Sequence, residues 1–206
     1  MIWLSWALEP VLAHLGALVA MNLIYIGAIV AGVVITAFEP TLQKTLIQQV
    51  GESFSTSLRP VVEAYVQVRL LPAILWTFSV NLFVGSFLAI TLPSALVPFW
   101  GIVMGVYRAL LWGILFSPLG GIFDLGYLPH VLTGLIEGEA YIVAMLGVWL
   151  WWWPVVRSPG RRWQRWVEGL ILQPRIYLVV TLLLAVAAIY EVLEIVYIIP
   201  WLTRQM

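Results

Sequence analysis

LPHVLTGLIEGEAYIVAMLGVWLWWW, residues Leu128–Trp153, decides how the chain is read. At roughly 1.5 Å per residue it is long enough for one tilted bilayer crossing. Pro129 suits a first helical turn, because it has no N–H to leave unpaired. The far end carries Trp149 and Trp151–Trp153, then Pro154. Indole rings favour the headgroup region, so this end marks a membrane face. Between the two ends lie His130, Glu137 and Glu139 among apolar neighbours. A carboxylate in hydrocarbon costs at least about 2–3 kcal/mol, so such groups face the interior of a bundle and have a partner or a task.

The rest of the chain has the same character. Of its 206 residues, 63% are hydrophobic and 10% are charged, with a mean hydropathy of +1.01, where a soluble domain is about 25% charged. Long apolar runs, not residue-by-residue alternation, argue helices over an outer-membrane barrel. The expected fold is an all-α polytopic membrane helix bundle in a single domain. Net charge is zero, which gives no reason to expect nucleic acid. The absence of cysteine excludes disulfides and thiolate metal sites. Met1–Pro10 lacks the basic start of a cleavable signal and reads as an interfacial lead-in through Trp3 and Trp6.

Five spans are expected, at about 11–38, 71–92, 95–116, 128–153 and 176–202. In the first, Gly16, Gly27, Gly32 and several alanines favour close helix packing. Its polar members read as an end-of-span histidine, His14, and a packed Asn22 that hydrogen-bonds across helices. The segment 39–70 is an amphipathic connector with apolar residues every three or four positions, expected as one or two helices on the membrane or on the bundle. Gly51 and Ser53–Ser57 are candidate interruptions, and Pro60 a second helix start. Spans two and three are joined so tightly at Pro93 that they must be antiparallel neighbours. A Gly-rich loop, Ser117–Tyr127, contains Asp124.

The segment 154–174 reads as a basic loop with Arg157, Arg161, Arg162 and Arg165 against Glu168. Lys and Arg accumulate on cytoplasmic loops, and Trp163 and Trp166 suit contact with anionic headgroups. That places the N-terminus and this loop in the cytoplasm and the C-terminus outside, in the cell membrane.

Asn81, Arg108, His130, Glu137, Glu139, Glu191 and Glu194 form the expected buried polar cluster. Arg108 is too central to reach the interface by snorkelling, so it needs a carboxylate. It lies roughly 20 Å from the cytoplasmic start of its span and Glu139 roughly 16 Å from the outer start of its own, compatible depths in a core of about 30 Å. The expected pair is Arg108 with Glu139, or failing that Glu137. His130 and Glu137 share a helical face but stand roughly 10 Å apart along it, too far to share a metal on a straight helix. His130 belongs to an outer rim with Asp124, Glu191 and Glu194. One imidazole with several carboxylates is a weaker metal set than paired histidines, and no metal or other cofactor is assigned.

The run from about Leu71 to Trp153 resembles the stage II sporulation protein M family of integral membrane proteins. The matching pieces are FSVN at Phe78–Asn81, VPFWGIVMGVYRALLWG at Val97–Gly113, and LPH at Leu128–His130 leading to GEAYIVAMLGV at Gly138–Val148. By the family's pattern His130 and either Glu137 or Glu139 form a polar signature, with Asn81 as a second point. The chain departs from it in placing Glu137 two helical turns after His130 and Val131 where the family has Gly. The resemblance implies a non-enzymatic membrane component that anchors or recruits partner proteins.

Three functions compete. A membrane scaffold or subunit suits a chain without a nucleophile–base pair or a Gly-rich phosphate loop; its partners would be membrane lipids, other membrane proteins or a second copy of itself. A transporter or lipid-handling protein would use Asn81, Arg108, Glu137 and Glu139 along an intramembrane path. An intramembrane hydrolase at His130 is the weakest, because the other histidine, His14, is expected at the opposite face.

Overall fold

The computed structural model describes residues 2–56, 58–121 and 128–205, and Asp124 lies outside them. Among the described residues every regular element is helical. Four stretches are long and apolar enough to cross a membrane: Leu15–Phe38, Leu70–Ser94, Leu128–Arg157 and Pro159–Thr203. Trp100–Leu115 is apolar but shorter. The chain is a helical membrane protein.

A lead-in helix, α1 (Ile2–Leu12), breaks at Ala13–His14 before α2 (Leu15–Phe38). Pro40 then opens α3 (Pro40–Ser55), which passes through Gly51 without interruption. The short α4 (Arg59–Val66) starts at Pro60's position in its first turn, as the proline predicts. Next, α5 (Leu70–Ser79) continues as a π-helical stretch, Val80–Thr91, and closes with a single turn, α6 (Leu92–Ser94). After a tight turn comes α7 (Trp100–Leu115). The long helices α8 (Leu128–Arg157) and α9 (Arg162–Leu193) follow, and α9 ends in a second π-helical stretch, Glu194–Ile198, before α10 (Ile199–Thr203).

The opening stretch of sequence is the centre of the bundle. From Ala140 to Val148 every residue of α8 is buried. This helix packs along α9 and touches α2, α7 and the π-helical stretch. By contrast α2 is mostly exposed to the surroundings and leans chiefly on α7. Gly32 and Gly113 make that contact: a Cβ on Gly113 would run into the Ile29 carbonyl, and one on Gly32 would lie 2.8 Å from the Ile114 nitrogen. Along α7, Gly101, Gly105, Ala109 and Gly113 recur every four residues and are all buried, the spacing that lets helices approach closely.

One expectation needs correction. The segment 154–174 is not a loop: α8 runs through Pro154 to Arg157, and α9 starts at Arg162 and passes through Pro174. A proline forfeits one backbone hydrogen bond, and the packing of two long helices outweighs that cost. At roughly 1.5 Å per residue α9 is about 48 Å long, so its basic N-terminal turns extend beyond a hydrocarbon core of about 30 Å. Of the tryptophans at this end, Trp151 faces inward. Trp151 is 1% exposed; its ring lies against Gly169, and its indole N–H donates to the Trp166 carbonyl at 2.8 Å.

Contacts at the two ends fix the direction of each segment. At one end the His14 ring meets Trp149 at 6.1 Å, Trp152 Nε1 donates to Ser94 O at 2.6 Å, and Trp166 Nε1 donates to Ala95 O at 3.2 Å. Arg175 there donates to Trp6 O and to Glu9 Oε2, tying α1 to α9. At the other end Gln43 Nε2 donates to the carbonyls of Leu115 and Ser117 at 3.0 and 2.9 Å. The Phe116 ring lies 5.4 Å from that of His130, and Tyr190 donates to Pro129 O at 3.4 Å. The apolar segments therefore alternate in direction between two common ends.

Candidate functional site

The polar residues fall into two layers. The inner one is built on α8 by Glu137 and Tyr141, four residues apart and so on one helical face. Glu137 is 5% exposed and accepts a hydrogen bond from Asn81 Nδ2. Tyr141 is fully buried and donates to Asn81 Oδ1 at 3.1 Å. Asn81 is the second residue of the π-helical stretch, a geometry that recurs at functional sites.

Arg108, from α7, places its guanidinium 4.1 Å from the Tyr141 ring centroid and 5.4 Å from that of Trp112. Gly85 of the π-helical stretch makes this possible: a Cβ there would lie 2.9 Å from the Tyr141 hydroxyl and 3.0 Å from the guanidinium. Tyr25 of α2 closes the layer. It is 2% exposed, its hydroxyl has no hydrogen-bond partner among the described residues, and it lies within electrostatic reach of Arg108 and Glu137.

The expected Arg108–Glu139 pair does not form. Among the described residues no carboxylate comes within 4 Å of Arg108. Glu139 is two residues past Glu137, about 200° around the helix. It therefore faces α2 on the side of Asn22, whose Nδ2 donates to Leu18 O of its own helix at 3.2 Å instead of bonding across helices as expected. The depths were compatible; the rotation was not. Glu137 is the carboxylate within electrostatic reach of Arg108, and aromatic rings take the contact positions. A desolvated cation over such rings gains about 2 kcal/mol.

The outer layer joins the start of α8 to the end of α9. Glu194, 0% exposed, accepts from Thr133 Oγ1 at 2.6 Å and contacts His130 Nδ1 at 2.9 Å. The His130 side chain is 26% exposed, so it connects this layer to the surface. Glu191, one turn deeper on α9, is within electrostatic reach of Glu137, Glu194 and Tyr65. Tyr65 on α4 shares a hydrogen bond with Thr77 at 2.9 Å. Burial pushes its phenol well above the usual range, and the Glu191 charge adds to that.

Six of the seven sequence-predicted residues thus fall into two groups, and Glu139 stands apart from both on the α2 side. Of the family-like signature, Asn81 meets Glu137, while His130 joins Glu194. Tyr25, Tyr141, Tyr65 and Thr133 were missed; the available signal was the spacing of Thr133, Glu137 and Tyr141 at every fourth position of α8. Among the described residues no three His, Asp or Glu side chains gather as a metal site would require. The basic residues lie apart, at the α8–α9 turn: Arg157 stacks on Trp153 at 4.2 Å, Arg165 pairs with Glu168 at 2.7 Å, and Arg161 and Arg162 are exposed. No family model, curated protein or solved structure matches the chain.

Proposed function

We propose that this protein is a five-crossing, non-enzymatic membrane scaffold or subunit that anchors partner proteins, as its resemblance to the stage II sporulation protein M family implies. The fifth crossing is α7. It has only 16 residues, but Ser94 Oγ accepts from Gly101 N at one end and Gln43 donates to Ser117 O at the other, contacts that tie it to both ends of the bundle and support a crossing. The four arginines at the α8–α9 turn favour the cytoplasm for that end, with the connector and the C-terminus outside.

The observation that carries the recruiting role is α3. Only Gln43 of this helix is buried, and Gln43 is its attachment to the bundle. Beyond it Ile47, Val50 and Phe54 are exposed, an apolar face left uncovered on the connector. Partner membrane proteins, or a second copy of the chain, are the proposed occupants.

A photo-crosslinking side chain at Ile47 or Phe54, activated in native membranes, tests this. A recurrent adduct with one membrane protein is expected, and it should be lost when both apolar neighbours become Ser. Adducts with lipid alone at both positions would contradict the reading and leave α3 as a surface float.

A further inference from the structure

The three glutamates at the α8–α9 contact are not scattered. Glu194 sits against His130 and Thr133 at the surface end. Glu191 is one turn deeper on α9, and Glu137 one turn deeper than Thr133 on α8. The Thr133–Glu194 contact sets the register of the antiparallel pair, so one turn deeper Glu137 and Glu191 stand at the same level; no hydrogen bond joins Glu191 to either glutamate, but both charges reach it. The series ends at Arg108, whose fixed positive charge repels an arriving cation beyond Glu137. One further group is aimed at the same place without using its hydrogen bond. The Tyr25 hydroxyl, on a side chain 2% exposed, is buried beside Gly138 and has no partner among the described residues. An unsatisfied buried hydroxyl costs about 1–3 kcal/mol, so its retention argues for a polar occupant at Glu137. The grooves beside this region are apolar: one of about 170 Å³ is lined by Gly85, Ala89, Ile90, Met104 and Leu111 with Tyr107 and Arg108. Side-chain relays carry protons through such dry packing, where a hydrated ion would need a polar channel.

We propose that Glu137 is a proton-binding site that exchanges with the aqueous phase at the His130 end alone, through Glu194 and Glu191. Protonated His130 gives its Nδ1 proton to the Glu194 carboxylate: the N–H bond breaks, an O–H bond forms, and the imidazole is left neutral. Glu191, hydrogen-bonded to neither neighbour at rest, carries the proton by changing rotamer: its carboxylate takes the proton from the Glu194 acid, swings inward and gives it to the Glu137 carboxylate, each donor returning to its anion. The groups facing Glu137 are Tyr25 from α2, Arg108 from α7, Tyr141 on its own helix and Glu191 from α9, with Asn81 as the non-titrating donor. Tyr65 faces Glu191 from α4. This role holds whether or not α3 recruits a partner.

The test is infrared spectroscopy of the full chain in lipid nanodiscs transferred from H₂O to D₂O. Glu137→Gln should remove one carboxylic-acid band, and Glu137→Asp should shift it if the Gln variant does not fold. Deuterium exchange of that band should slow by about tenfold or more in Glu191→Gln and in the rim variant His130→Gln. Glu9→Gln, at an exposed ion pair on α1, should leave the rate unchanged. A band whose exchange is equally fast in Glu191→Gln and His130→Gln would overturn the relay, and a spectrum with no band that responds to position 137 would overturn the site.

Discussion

At the scale of single residues, Tyr141 performs two separable tasks. Its hydroxyl orients Asn81, and its ring carries Arg108. Tyr141→Phe removes only the hydrogen bond and should cost about 1 kcal/mol. Tyr141→Leu also removes the ring under a desolvated cation and should cost about 2 kcal/mol more. Thermal unfolding in detergent of both variants measures the difference; equal losses would mean that the ring is not what holds Arg108. The sequence made it legible that Arg108, Glu137 and Asn81 need partners, because unpaired polar groups in hydrocarbon are costly. It did not reveal which ones they find. Depth follows from counting residues along a helix, but partner choice depends on rotation about its axis, and 200° separates Glu137 from Glu139. Tyrosines were passed over because an aromatic residue in a span reads first as packing.

At the scale of elements, the same limit applies to glycine. The small residues of α2 and α7 advertise close approach, yet Gly16 and Gly27 have open space around them, whereas Gly32 and Gly113 have none. A Cβ at Gly113 would meet backbone, which cannot swing aside, so Gly113→Ala should destabilise by about 3 kcal/mol or more. Gly27→Ala should be neutral or stabilise by up to about 1 kcal/mol, through helix propensity alone. Detergent melting of the two variants checks this, and equal behaviour would mean that α2 and α7 do not meet where described. The 154–174 segment shows a second limit. Its proline and arginine content reads as a loop, but Trp151 and Trp166 bind α8 to α9 across it. That contact belongs to the helix pair, and no local pattern announces it.

At the scale of the whole molecule, charge bias and alternation support the proposed topology, with the arginine end in the cytoplasm. The apolar segments alternate between two ends. One end is ringed by Trp149, Trp152 and Trp166 with the arginines nearby, and the other holds His130, Gln43 and Ser117. Both proposed activities lie at the second end, so the topology decides on which side α3 recruits and from which side Glu194 takes up protons. The chain contains no cysteine, so single cysteines introduced one at a time report sidedness without background. The decisive measurement is labelling of Ser158→Cys, Thr56→Cys and Gln205→Cys by a membrane-impermeant thiol reagent in intact cells. The account predicts that positions 56 and 205 label from outside, while position 158 labels only after the membrane is opened. Labelling of positions 158 and 205 from the same side would contradict it.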